Sequence, residues 1–466
     1  MTAPRSGFRT FAILWSGQFA SLAGSGLSNF ALGVYVYLHT GSVTTLGLIY
    51  ALAYLPFVLA SPFTGSLVDR WGPWRALVVS NVAALFVMLL LAAQLAAGTF
   101  AVWQFYLVVS CISVTQALLT PAFESATPAL VSQGQLGRAN GMRLLAEAAS
   151  RLLAPVSAGF LLLAIHISGV VLMDCLSYVL ALLTLAVVRI PGNRDETGRR
   201  PATPSALLND FRQAWRYIAA RQGLLALLVF SAAVNFCGGF VQLLITPLVL
   251  AFGSSATLGT VLSCAGIGMV VASAAMSAWG GPRKRINGIL GFSLLMGAAM
   301  VVGALRPNAV LIAGAAFVVL GSSAIVIGCN QVVWQTKVEP RLLGRTMALL
   351  AMVFTAPQLL AYALAGITAD RIFQPLVGRN EVRSPVLQLI VGNGPGRGIA
   401  LLIMLMGGII ALCVLGGALY PRLRHLDGEL PDVAGDADDA DDADEMEKPP
   451  IHAQSPPASP PITATS

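Results

Sequence analysis

The chain alternates long apolar runs with short polar breaks, and the runs are continuous instead of alternating residue by residue. Each is about 20 residues or longer, enough to cross a hydrocarbon core of about 30 Å as a helix. Strands of a membrane barrel read as short alternating segments, a pattern this chain lacks. Twelve helical spans are expected, near 11–38, 46–65, 76–97, 102–130, 142–165, 170–188, 224–251, 258–278, 289–305, 310–336, 347–373 and 399–419. They fall into two blocks of six, giving units at 1–188 and 223–420, a hydrophilic link at 189–222 and a polar tail at 421–466.

Composition agrees with this pattern. Hydrophobic residues make up 56% of the 466 and charged residues only 11%, where soluble domains carry about a quarter charged. The expected class is an all-α membrane protein. No cleavable signal peptide is evident, since the first apolar run has no small-residue cleavage site after it.

The formal charge of +7 is unevenly spread. More than half of the 21 acids lie between Asp427 and Glu447, so the rest of the chain is strongly basic. If the N-terminus is cytoplasmic, the inner connections and both termini collect all but six of the 28 basic residues. The exceptions are Arg151, Arg306, Arg371, Arg379, Arg383 and Arg397. That is a positive-inside bias. It implies a multi-pass cell-membrane protein with both termini inside, and lipid instead of nucleic acid as the partner of the basic surface.

Within the link, Leu207, Phe211, Trp215 and Ile218 recur at helical spacing among Asp210, Arg212, Arg216 and Arg221. This predicts an amphipathic helix on the inner leaflet, either a tether between halves or something more. The Asp/Ala-rich, then Pro/Ser-rich tail buries too little apolar surface to order itself.

The six cysteines and four histidines are scattered, with no ligand spacing, so neither a metal nor another cofactor is expected. Gly392-Asn393-Gly394-Pro395-Gly396-Arg397-Gly398 imitates a nucleotide loop but precedes a membrane helix instead of following a strand. No nucleophile arrangement suggests an enzyme.

Charge is scarce, so its clusters matter. Gly65-Ser66-Leu67-Val68-Asp69-Arg70-Trp71-Gly72, with Arg75 beyond, connects the second and third spans. Gly65 and Gly72 permit a close helix approach and a tight turn. Asp69 is placed to cap the next helix or meet a helix end of the other half. On the fifth span Arg143, Glu147 and Arg151 recur every four residues and share a face. Glu124 and Arg143 reach similar depth, about 15 Å from the loop between them. An ionic cluster of Glu124, Arg143, Glu147 and Arg151 is expected, as a proton-coupling site or a static tie between helices. Asp174 in the sixth span is a further coupling candidate, with a cap or packing role as the alternative. Asp370 and Arg371 are expected to pair at the end of the eleventh.

Uncharged polar residues recur along the helices: Gln18, Asn29, Gln116, Asn235, Gln242, Asn330 and Gln331, with Tyr35, Phe236 and Trp334 nearby. They either contact substrate in a central cavity or bond helix to helix.

The G-x-L-x-D-R-x-G-x-x-R spacing of Gly65 to Arg75 resembles the signature loop of the major facilitator superfamily, with Pro73 and Trp74 standing before Arg75. Trp279-Gly280-Gly281-Pro282-Arg283-Lys284-Arg285 partly echoes it in the second half, without the acid. Leu14-Trp15-Ser16-Gly17-Gln18, Thr40-Gly41-Ser42, Ala139-Asn140-Gly141 and Ala154-Pro155 resemble the macrolide-efflux and enterobactin-exporter branch. Exporters of the superfamily carry a Gly-Pro motif where this chain has Ala154-Pro155, and an arginine on helix four where it has Gln116.

The resemblance implies two pseudo-symmetric six-helix bundles working by alternating access. It implies a monomeric efflux antiporter that exchanges protons for a small amphipathic compound, drug-like, macrolide-like or siderophore-like, and so contributes to antibiotic resistance. An importer or uniporter is the alternative, and a membrane receptor or enzyme a remote one.

Overall fold

The computed structural model describes residues 7–98, 101–131, 135–188, 204–377, 395–424 and 426. Residues 189–203 and the acidic tail lie outside these. Among the described residues every regular element is a helix. Eleven helical stretches there are long and apolar enough to span a membrane.

The breaks follow from local chemistry. Helix α1 (Phe8–Thr40) stops at Gly41, whose φ of 61° suits a residue without Cβ. Ser42 then caps α2 (Val43–Trp71), its hydroxyl accepting from the Thr45 amide. Gly72, at φ 80°, ends α2, and Pro73 opens α3 (Pro73–Ala96) at the position where a missing N–H costs nothing. Helix α4 (Val102–Leu130) follows.

Helix α5 (Leu136–Val187) runs to 52 residues, twice a bilayer's need, but His166 at φ 58°, ψ 178° breaks it. The two limbs, 136–165 and 167–187, run oppositely beside α1. Trp15 Nε1 donates to Met142 O and Ser150 Oγ to Leu22 O, so the first limb ascends with α1. Gly17 faces Thr184 while Gly24 faces Ser177, so the second descends. The expected fifth and sixth spans are thus one element folded back on itself, with a turn in place of a loop.

Helix α6 (Pro204–Ala220) is the expected amphipathic helix. Ala214 and Ile218 are buried while Phe211 and Trp215 are exposed. Its Tyr217 hydroxyl donates to Lys337 O and accepts from the Glu339 amide, which ties it to the end of α10. Then come α7 (Gln222–Leu250), α8 (Ser255–Trp279), α9 (Arg285–Ala304), α10 (Ala309–Lys337) and α11 (Pro340–Thr368). A π-helical turn, Ala369–Phe373, and a last turn, Gln374–Val377, continue α11; α12 (Arg397–Leu419) and α13 (Pro421–Arg424) close the chain.

Packing repeats between halves. Helix α1 packs on α5 as α7 does on α11; α2 on α4 as α8 on α10; α3 on α4 as α9 on α10. The exchange α2–α8 and α5–α11 also maps the two main contacts between halves, α2–α11 and α5–α8, onto each other. The α2–α3 and α8–α9 connections match in detail, since Trp71-Gly72 and Trp279-Gly280 each end a helix at a glycine of positive φ. Outer faces stay apolar: Leu412, Leu419, Leu176 and Val187 are each more than two thirds exposed, as lipid-facing side chains are.

Candidate functional site: the interface between halves and its polar residues

The halves meet at the end where α1 stops and α2 begins, here termed the Ser42 end. Glycines bring the backbones together. A Cβ on Gly366 of α11 would lie 2.8 Å from Val43 O, and one on Gly159 of α5 would lie 2.8 Å from Ser255 O on α8. Side chains here would hold the halves apart.

Asp370, in the π-helical turn of α11, fills the gap. Its Oδ2 accepts from the Thr44 amide at 2.8 Å, Thr44 Oγ1 at 2.7 Å and Ser42 Oγ at 3.0 Å; Oδ1 accepts from the Val43 amide at 3.2 Å and Gln374 Nε2 at 3.0 Å. The first amides of a helix have no partner within it and carry the positive end of its dipole, so a carboxylate is the fitting group. The expected Asp370–Arg371 boundary pair gives way to this cross-half cap. The bonds that Ser42, Val43 and Thr44 give Asp370 join the two halves.

Beside it stands an aromatic and amide group that the sequence only half disclosed. Gln242 Oε1 of α7 accepts from Gln358 Nε2 and from the Tyr362 hydroxyl of α11, both at 2.8 Å. The Tyr362 ring meets Tyr50 and Tyr54 of α2, at centroid distances of 5.4 and 6.0 Å. Gln242 was in the expected set; the partners it needs lie on another helix, α11.

The remaining polar candidates divide. Asn330 Nδ2 donates to Ser231 Oγ and its Oδ1 accepts from Trp334 Nε1, each at 2.7 Å. With Asn330 8% and Trp334 1% exposed, they tie α10 to α7 instead of lining a cavity. Asn235 donates to Ser231 O on its own helix. Gln116 stands beside the Tyr178 hydroxyl. Asn29 and Gln331 are exposed. Gln18 is buried, with neither side-chain polar atom hydrogen-bonded.

At the opposite, Gly72 end, the depth match between Glu124 and Arg143 yields an ion pair of 2.6 Å. The side chains of Glu147 and Arg151 lie outside those described, as do those of Gly65 and Asp69. Arg70 and Arg75 are exposed. Asp69 belongs to the last turns of α2, and α3 has Gly72 as its N-cap without a side-chain bond. Asp174 keeps different company from the Glu124 pair, among serines of α1 and its own helix.

One basic residue had no assigned role. Arg397, 1% exposed, donates to Leu305 O and Ala304 O, capping the carbonyl end of α9 from α12. Its sequence neighbours read as a loop, and nothing local signals a partner 92 residues away.

The Major Facilitator Superfamily signature matches residues 14–362. The chain belongs to that superfamily. Among curated relatives, Macrolide efflux protein A of Streptococcus pyogenes is 25% identical over 369 residues, covering 78% of this chain and 90% of the relative. Macrolide efflux protein A of Enterococcus faecalis is 24% identical over 316 residues, covering 65% and 94%. Among solved structures, an inward-facing, unoccupied bacterial homologue of the human lysosomal transporter Spinster superposes with a TM-score of 0.65 at 14% identity, covering 89% and 96%. This major facilitator protein is therefore a multi-pass membrane transporter of small molecules and not an enzyme. Its two halves pack alike, and Asp370 fastens them at the Ser42 end.

Proposed function

We propose that this transporter exports a small amphipathic organic compound of macrolide-like size and polarity from the cell, in exchange for protons. The observation that carries the mechanism is the contact between halves at the Ser42 end, joined through Asp370. With both termini cytoplasmic, as the basic residues favour, that end is extracellular. With the halves fastened there, the proposed substrate path opens to the cytoplasm, the loading state of an exporter. The macrolide-efflux relatives support the compound class. The uncharged group of Gln242, Gln358, Tyr362, Tyr50 and Tyr54 suits an apolar body with a few hydrogen-bonding groups. The cell membrane is the proposed site of action, by a monomer of two units, 1–188 and 223–420, joined by the 189–222 link.

The counterpart latch at the cytoplasmic end is Gly65, Asp69, Arg70, Gly72 and Arg75, which closes when the Ser42 end opens. Expressed in a host lacking its own efflux pumps, the protein lowers macrolide accumulation, and collapsing the pH gradient removes the effect. Asp69→Asn reaches the membrane but does not export. Raised accumulation in expressing cells sinks the export direction, and normal export by Asp69→Asn sinks the latch.

A further inference from the structure

Asp174, on the second limb of α5, is 2% exposed. Hydroxyls surround its carboxyl. Ser177 Oγ reaches Asp174 Oδ1 at 3.2 Å while donating to Asp174 O at 2.7 Å. Ser25 and Ser28 approach from α1, and Ser25 also bonds the Tyr178 hydroxyl at 2.8 Å. Gly24 permits the approach, since a Cβ there would stand 2.8 Å from Asp174 Oδ1.

No lysine, arginine or histidine among the described side chains faces this carboxyl. The titratable groups near it are Cys175 and Tyr178, both on its own limb; α1, α3 and α4 add no charged group. A carboxylate so buried is retained in a membrane only where something neutralises it.

Ser28 supplies the second observation. It is 2% exposed and lies beside the carboxyl, yet its Oγ has no hydrogen bond of proper geometry. The stripe it belongs to continues along the same face of α1 through Ser25, Ser21 and Gln18, at spacings of three and four residues. Ser21 and Gln18 are also buried with unpartnered polar atoms. Buried polar groups are normally satisfied. Three unsatisfied groups, Ser28, Ser21 and Gln18, on the face that also carries Ser25, lead from a carboxyl without a cation toward the Gly72 end and have the character of an ion path.

We infer that Asp174, Ser25, Ser28 and Ser177 form a binding site for a single positive charge, a proton or a sodium ion, that couples the transport cycle. The coupling role rests on the antiport reading above; the site itself does not.

The test uses the purified full chain in liposomes, with a radiolabelled macrolide as probe and imposed pH or sodium gradients. Wild-type accumulation follows one of the two gradients, which identifies the occupant. Asp174→Asn loses that dependence while exchange without a gradient persists; Asp174→Asn with wild-type gradient dependence overturns the site. Infrared difference spectra in the carboxyl region, across pH and across sodium concentration, give a readout free of transport. A band that responds to one of the two, with its midpoint moved about fivefold in Ser28→Ala, supports the site. A midpoint unmoved in Ser28→Ala, or no responding band, counts against it even where Asp174→Asn fails to insert. Absence of macrolide flux in the wild type sinks the efflux reading alone, and the spectra then decide the site.

Discussion

Asp370 and Asp174 are both carboxylates on membrane helices, and the fold treats them in opposite ways. Asp370 lies at a helix end, between halves, and takes bonds from two backbone amides, two hydroxyls and an amide side chain. Asp174 lies within one half, with hydroxyls near it and no cation among the described side chains. The first is neutralised by helix dipole and donors and needs nothing further. The second is left wanting a positive charge. A membrane protein can thus spend one acid on holding two bodies together and another on binding, and partners tell them apart where residue type does not.

The largest expected effect separates these roles outright. Asp174→Asn abolishes the dependence of transport on the coupling gradient, whereas Asp370→Asn leaves that dependence in place and alters only how readily the Ser42 end opens. Loss of coupling in both would merge the two sites into one.

Next in size is the fastening itself. The Val43 and Thr44 amides occupy the first turn of α2, where no carbonyl of their own helix serves them. Removing their acceptor in Asp370→Ala raises their hydrogen–deuterium exchange about 10- to 100-fold, from the loss of bonds to a charged group. Asp370→Asn, which keeps one acceptor oxygen, falls between. Exchange unchanged in Asp370→Ala shows that the packing at Gly366, Gly159 and Tyr362 holds the halves without it.

The smallest effect is expected at Glu124–Arg143. Its short distance suggests strength, but the side chains are 51% and 28% exposed. Exposed pairs contribute about 0.2–1 kcal/mol. A double-mutant cycle of Glu124→Gln and Arg143→Gln, read by thermal stability, lies in that range. A coupling well above it means that the pair is desolvated by neighbours and belongs to a larger ionic network.

Much of the fold was legible because its causes are local. Continuous hydropathy gave the helices, and the Gly41-Ser42 and Gly72-Pro73 pairs mark where α1 and α2 end. The partial echo of Trp279–Arg285 disclosed the repeat, which the helix packing repeats in turn. Even the Glu124–Arg143 pair followed from counting equal distances from one loop. The interface was less legible. Gln242 stood out as a polar residue in an apolar run, but nothing near it named Gln358 and Tyr362 as partners. Asn330 and Trp334, equally polar, turned out to serve Ser231 and each other.

The sequence by itself determined that this chain is a helical membrane transporter, about where most of its membrane helices lie, and which family it joins. These depend on hydropathy, helix-breaking residues and motif spacing, all properties of neighbours along the chain. Only the tertiary structure decided that Asp370 serves α2 across more than 300 residues, that Arg397 closes α9, and that Asp174 faces Ser25 and Ser28. Which donor meets which carboxylate depends on how helices pack, and the close approaches at Gly24, Gly159 and Gly366 arise only once the halves are assembled.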